Sequence, residues 1–233
     1  MAAKYADYRF YDEYLIKSDT SECREIDIDH NLKIADMLPA KGAKILDVGC
    51  GGGFTSKMYI KEGNIVIGVD IFKDSLEEAK KVLDGVVMQD IETRWGIKSK
   101  SFDVVVMSAV LEHIYRTDFV IQEAYRVLKD DGMLLVAVPN VAFLNNRILL
   151  LFGRRLRWIS PRHDHIRVYT KYLLKEVLED NNFKVEKVIG NVLYIPKTNI
   201  KIPLMGKIFP NLCSVIVCKA TKNTFANKSK SSN

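Results

Sequence analysis

The residues best suited to chemistry open with Asp47-Val48-Gly49-Cys50-Gly51-Gly52-Gly53, a carboxylate two positions ahead of three alternating glycines. Glycines at 49, 51 and 53 let the main chain take positive φ and let a ligand approach it without a Cβ in the way. Asp47 repels a phosphate and suits a ligand carrying an ammonium or sulfonium. Reading Gly-x-Gly-x-x-Gly from Gly49 puts Phe54 where the third glycine of a dinucleotide site belongs, which argues against that use. Twenty-one residues after Gly49 comes Asp70, placed to accept hydrogen bonds from the two hydroxyls of a ribose. Asp90, Ser108, Glu112, His113, His165 and Arg167 complete the polar set. An imidazole at His113 can remove a proton from a bound hydroxyl near neutral pH. His165 is a second candidate base. Each histidine has a plainer role open to it: Glu112 and His113 can hold their loop together, and His165 can belong to an ordinary surface loop.

These residues need a scaffold that presents strand ends. Ile45 to Val48 reads as a short buried strand, and Thr55 to Ile60 can open a helix after the glycines. Ile65 to Val69 forms a second strand, with Asp70 at its end. Asp74 is a candidate N-cap for a helix running to Lys81. Val86 to Met88 and Ser101 to Met107 read as the third and fourth strands, and the continuous apolar run of the latter suits a sheet covered on both faces. Asp118 to Leu128 has a periodic apolar face, Asp130-Asp131-Gly132 reads as its end, and Met133 to Val138 is a fifth strand. Thr170 caps a helix over Tyr172 to Asp180. Phe183 to Ile189 and Leu212 to Cys218 are the late strands. Residues 1–40 read as an N-terminal helical segment with Tyr5, Tyr8, Tyr11 and Tyr14 along one face, ended by Pro39 and Gly42. Strand–helix alternation of this kind specifies an α/β fold with a parallel sheet, which binds ligands beyond the carboxyl ends of its strands.

Asp-Val-Gly-Cys-Gly-Gly-Gly followed by Gly68-Val69-Asp70 resembles the first two motifs of class I S-adenosylmethionine-dependent methyltransferases. Val110-Leu111-Glu112-His113-Ile114 and Asp164-His165-Ile166-Arg167-Val168-Tyr169-Thr170 resemble the branch holding methionine-biosynthesis W-type, ubiquinone-biosynthesis and sugar-modifying methyltransferases. The resemblance implies a Rossmann-like, seven-stranded, mostly parallel sheet with helices on both faces and an antiparallel last strand. It covers about residues 40–140 closely and the late strands more loosely, and the domain it implies spans residues 41–220, with acceptor-side insertions at about 141–169 and 191–211. It implies S-adenosyl-L-methionine as cofactor, held by Asp47, Gly49, Gly51, Gly53, Asp70, Ile71, Asp90, Ile91 and Ser108. Asp90 would accept from the adenine amino group and Ile91 would pack on the ring. Some members of the branch bind a metal through Glu-x-x-Glu-His. Ala109 stands where the first acid would be, so no metal is expected. The acceptor expected from the resemblance is a polar oxygen or nitrogen, with a sugar of a cell-envelope or lipid-linked glycan foremost. A small-molecule carboxyl or phenol, and a regulatory protein that binds cofactor without turnover, are the alternatives.

The chain has 233 residues and a net charge of +6, with ordinary hydrophobic and charged fractions for a globular protein. Between Arg147 and Lys171 it places Arg147, Arg154, Arg155, Arg157, Arg162, Arg167 and Lys171 against Asp164 alone. The apolar run Ile148 to Phe152, flanked by arginines and followed by Trp158, suits a membrane interface with anionic lipid through residues 147–159. It equally suits a core helix with a basic rim. No stacking or groove-reading motif accompanies the charge, so no specific nucleic acid is expected. The opening residues carry no signal-like apolar stretch, and Cys23, Cys50, Cys213 and Cys218 show no paired spacing. A cytoplasmic protein with free thiols is expected, in contact with the inner membrane face if the basic segment binds lipid. Residues 221–233 read as a disordered tail.

Overall fold

The computed structural model describes residues 21–61, 63–157, 159, 165–194, 201–202 and 204–223. Its centre is a seven-stranded sheet in the order β3-β2-β1-β4-β5-β9-β6. The strands are β1 (Lys44–Val48), β2 (Ile65–Asp70), β3 (Gly85–Met88), β4 (Phe102–Ser108), β5 (Leu128–Pro139), β6 (Phe183–Gly190) and β9 (Val215–Lys222). β1 to β5 run parallel, and β9 lies antiparallel between β5 and β6. The strand order reverses between β1 and β4, where Val48 pairs with Met107. That junction opens the crevice in which folds of this kind bind ligands.

The central strands are apolar on both faces because both faces are covered. Val105, Met107, Leu134 and Val136 pack with Val120, Ile121, Ala124 and Val127 of α3 (Thr117–Val127) and Leu174 and Leu178 of α5 (Lys171–Asp180). The alternating Val104, Val106, Leu135 and Ala137 face Ile34, Ala35 and Leu38 at the end of α1 (Ser21–Met37) and Leu76 and Ala79 of α2 (Lys73–Ala79). Side chains at successive strand positions point to opposite faces, so one apolar run serves two cores. After β5 comes α4 (Leu144–Leu151), and after β6 come the short pair β7 (Leu193–Tyr194) and β8 (Lys201–Ile202) and the single turn α6 (Met205–Ile208).

The expected sheet is the one observed, with several local corrections. Asp130-Asp131-Gly132 does not separate helix from strand. β5 begins at Leu128, which pairs with Phe102, while Met133 pairs with Val104, so the intervening residues bulge out of register. A Cβ on Gly132 would sit 3.0 Å from the Lys129 carbonyl oxygen and 3.2 Å from that of Asp103, so a larger residue there would have to push back the backbone of the bulge by a few tenths of an ångström. Asp74 lies in the first turn of α2, where it faces the helix dipole favourably, and Phe72 occupies the cap. The segment after the glycines forms a 3-10 turn, Ser56–Tyr59, instead of an α-helix. The last strand starts three residues later than its apolar run, at Val215, because Pro210–Leu212 is wound into a 3-10 turn. It also runs on through Thr221 and Lys222, which belong to the sheet and not to a tail. Lys222 is buried there: its Nζ donates to the Leu128 carbonyl at 2.6 Å and lies over the Tyr125 ring. Thr170 caps α5 as expected, its hydroxyl accepting from the Leu173 amide at 3.2 Å. The expectations for Tyr5 to Tyr14, Trp158, Arg162, Asp164 and residues 224–233 fall outside the described residues.

Candidate active site

The glycine loop leaves β1 with Gly49, Gly51 and Gly53 all at positive φ. Gly49 is forced: a Cβ there would lie 2.7 Å from Val110 Cγ2, in the segment that leaves β4. At Gly51, with φ +51, no atom lies within 4 Å of the position a Cβ would take. The loop is therefore packed against its own protein at Gly49 and faces open space at Gly51. Cys50 turns away from that opening, and its sulfur fills the place a Cβ on Gly68 would need, at 2.6 Å.

Asp70 closes the loop from β2. Its carboxylate accepts from the Gly51 amide at 2.8 Å and from the Phe72 amide at 3.0 Å, and Ile71 lies between those contacts. Asp47 is buried at the end of β1 and accepts from the Ser56 hydroxyl. Burial pushes its carboxyl up to about 7, the Ser56 hydrogen bond opposes that rise, and the nearby Asp70 charge adds to it. A cationic ligand group is the natural partner for two carboxylates brought this close. Asp90 leaves β3 and accepts from the Glu92 amide at 2.9 Å, while Ile91 packs on the apolar core beside Trp95. Trp95 Nε1 donates to the Ile91 carbonyl at 2.9 Å, and Arg116 donates to Glu92, so the loop after β3 is held from both ends.

Beyond β4 two segments run side by side. The 3-10 turn Leu111–His113 follows β4, and residues 165–169 return from the insertion to run beside it. Ile166 and Arg167 donate their amides to the Glu112 carbonyl, the Arg167 guanidinium donates to the Tyr115 carbonyl at 2.9 Å, and the Tyr169 hydroxyl donates to the Leu111 carbonyl. This zipper brings His113 and His165 together, their ring centroids 4.9 Å apart and nearly edge-on at 73°. Glu112 lies beneath them at 1% exposure, its carboxylate 3.9 Å from His113 Nε2. Donor atoms of Glu112, His113 and His165 fall within 4.8 Å of one another. Ala109, at φ +55, supplies no fourth ligand and no carboxylate, so the Glu-x-x-Glu-His set is incomplete.

Residues 24–188 match the family described as a methyltransferase domain, and the chain belongs to that family. Fold and sequence together make it a class I S-adenosylmethionine-dependent methyltransferase. The mitochondrial ubiquinone biosynthesis O-methyltransferase of Bos taurus is 34% identical over 171 residues, covering 68% of this chain and 45% of that protein. The ubiquinone biosynthesis O-methyltransferase of Pelagibacter ubique is 28% identical over 177 residues, covering 70% of each. The chain spans about half the length of the mammalian relatives it matches. A solved SAM-dependent methyltransferase from Thermotoga maritima superposes over 95% of this chain and all of that one, with a TM-score of 0.70 at 19% identity. One from Archaeoglobus fulgidus gives 0.62 at 21% identity, over 93% of this chain and all of that one.

The residues fit this cofactor. Gly51, the neighbouring carboxylates Asp47 and Asp70 and the braced Asp90–Ile91 loop lie at the carboxyl ends of β1, β2 and β3, the order in which the resemblance expects methionine, ribose and adenine contacts. Sequence reasoning missed Glu92, Trp95 and Arg116, which brace the adenine loop, and it missed His30 and Tyr59. Of these only Trp95 carried a signal, a bulky aromatic in an otherwise polar loop.

Proposed function

We propose that this protein methylates a hydroxyl oxygen of a small phenol-type acceptor, with His113 as general base and His165 beside it. When bound, the cofactor supplies an activated methyl group, so the protein's main tasks are positioning the acceptor and removing its proton. The acceptor oxygen gains the methyl, its hydroxyl proton passes to His113, and the imidazole returns that proton to solvent. Glu112 stabilises the imidazolium so formed, by charge across 3.9 Å. His165, set edge-on to His113, fixes the ring plane and offers a second polar contact to the acceptor. The observation that carries this reading is the pairing of the two histidines at the exit of β4, beyond the switch-point crevice.

An oxygen acceptor is supported by relatives that are named O-methyltransferases. Those names concern ubiquinone biosynthesis, and they favour a phenol over the glycan hydroxyl expected from the resemblance. The test is transfer of labelled methyl from S-adenosylmethionine to matched panels of dihydroxybenzoates, sugars and carboxylates. Label in the phenols alone is expected. Label only in sugars would replace the acceptor class, and label in none, with cofactor bound, would favour the regulatory alternative.

We also propose that the acceptor face touches anionic membrane. α4 presents Leu150, Leu151 and Phe152 to solvent, the last two at 80% and 75% exposure. Gly153, at φ +59, closes the helix and turns Arg154 and Arg155 out beside them. Arg157, Lys207 and the exposed Ile208 and Phe209 extend the same combination of charge and apolar tips. Among the described residues no helix is long and apolar enough to cross a membrane.

A further inference from the structure

His30 plays no part in the chemistry above, yet it reaches the centre of the site. It sits on α1 at 3% exposure, and its Nε2 lies 3.1 Å from the hydroxyl of Ser108, the last residue of β4. Ser108 follows Met107, which pairs with Val48 immediately before the glycine loop. The contact therefore falls at the point where strand order reverses and the methionine end of the cofactor must lie. A second buried link runs beside it. The Asn31 amide donates to His30 Nε2 at 3.0 Å, and the Tyr59 hydroxyl donates to Asn31 Oδ1. Tyr59 belongs to the 3-10 turn that also carries Ser56, the partner of Asp47. One chain of polar groups thus connects α1 with β1, β4 and the turn after the glycines.

We propose that His30 is a positioning residue for the methyl donor, acting through Ser108. With the Asn31 amide donating to it, Nε2 is the ring's acceptor and the ring proton sits on Nδ1. The Ser108 hydroxyl then shares the single Nε2 lone pair with the Asn31 side-chain amide as a three-centre hydrogen bond, which leaves the serine oxygen's own lone pairs for a ligand. An ammonium group beside Asp47 meets an oriented acceptor there instead of a freely rotating hydroxyl. Asn31 and Tyr59 hold the imidazole in that orientation, so α1 forms one wall of the cofactor site.

This inference rests on the cofactor assignment, and two ligands separate it from that assignment. S-adenosylhomocysteine carries the amino-acid end, whereas 5′-methylthioadenosine keeps the nucleoside and lacks it. Titration calorimetry of the full chain should show His30→Ala binding S-adenosylhomocysteine roughly tenfold more weakly, the worth of one charge-assisted hydrogen bond. Binding of methylthioadenosine should stay within about twofold, and His30→Gln, which restores an acceptor near the Nε2 position, should recover most of the loss. Ser108→Ala should show the same selective loss, and the double variant should be no weaker than either single one. Should His30→Ala fold poorly, Ser108→Ala and Tyr59→Phe still read the selectivity between the ligands. Equal losses for both ligands, or no loss for either, would overturn the inference and make His30 a packing residue. A wild-type chain that binds neither ligand would overturn the cofactor assignment, and this inference with it.

Discussion

The Arg167 amide donates to the carbonyl oxygen of Glu112 at 3.0 Å, and this bond fastens the returning insertion to the turn that carries the candidate base. The Arg167 side chain reinforces the join, because its guanidinium reaches the Tyr115 carbonyl at 2.9 Å. Arg167→Ala should therefore loosen the acceptor side while leaving the cofactor side intact. The expected result is an acceptor KM raised by about tenfold, the scale of a lost charged hydrogen bond, with S-adenosylhomocysteine affinity unchanged. Steady-state kinetics beside calorimetry would show the split, and a parallel loss of cofactor affinity would contradict it.

His113 and His165 should separate in a kinetic comparison. A general base contributes roughly a hundred- to ten-thousandfold, so His113→Ala should lower kcat by at least about a hundredfold. His165→Ala should cost about tenfold, on the scale of one positioning contact. Both variants should bind S-adenosylhomocysteine as the parent does. If His165→Ala proved the more damaging, the roles would be exchanged.

Asp47 gives a pH signature of known sign. Its folded-state value of about 7 lies above the ordinary 3.8, so between those values the folded chain holds a proton that the unfolded chain lacks. The stabilisation this proton provides is present at low pH, declines as pH rises through that window, and is gone above about 7. Asp47→Asn should accordingly raise the melting temperature more at pH 8 than at pH 5. Cofactor binding should move the other way, because an ammonium group prefers the carboxylate. Affinity for S-adenosylhomocysteine should weaken towards a limit of about tenfold per pH unit below 7, and the asparagine variant should lose that dependence.

Gly49 and Gly51 should respond differently to alanine. Both have positive φ, which costs a Cβ about 1–2 kcal/mol. At Gly49 the added Cβ also meets Val110 at 2.7 Å, so Gly49→Ala should lose stability beyond that range. Gly51→Ala meets no protein atom within 4 Å, so it should cost the strain alone yet still obstruct the cofactor. Thermal melts with and without S-adenosylhomocysteine would distinguish a clash with protein from a clash with ligand.

The membrane proposal predicts co-flotation with vesicles containing anionic lipid at low salt, weakened by salt and by Arg154→Glu with Arg155→Glu. Each arginine near such a surface is worth about 1 kcal/mol, so reversing two charges should abolish binding. Equal binding to neutral vesicles, or no binding at low salt, would count against it.

The cofactor half was legible because its requirements are local. Positive φ at Gly49, Gly51 and Gly53 is written in one short run, and Asp47, Asp70 and Asp90 each stand within two residues of the end of a strand. The acceptor half was only partly legible. His113 and His165 could be named from their motifs, but their 4.9 Å approach depends on backbone bonds between Glu112 and residues 166 and 167, which no sequence pattern displays. His30 was hidden for a similar reason. Its partner Ser108 is 78 positions away, and α1 shows little amphipathic pattern to mark which side faces the sheet. The bulge at Asp130-Asp131-Gly132 went unread because turn-forming residues signal a break in local conformation without saying whether strand pairing resumes before it.

The position of β9 bears on how this chain is made. Among the described residues β6 pairs in the sheet with β9 alone, and β9 also pairs along its other edge with β5. The sheet therefore remains two separate pieces until residues 215–222 have been synthesised and threaded between them. On the ribosome the nascent domain waits with the edge of β5 and both edges of β6 unsatisfied, which is the state most exposed to aggregation. Insertion of a strand so distant in sequence is slow compared with forming the β1–β5 half. A nascent chain arrested before Val215 should thus recruit chaperones that the finished chain no longer needs.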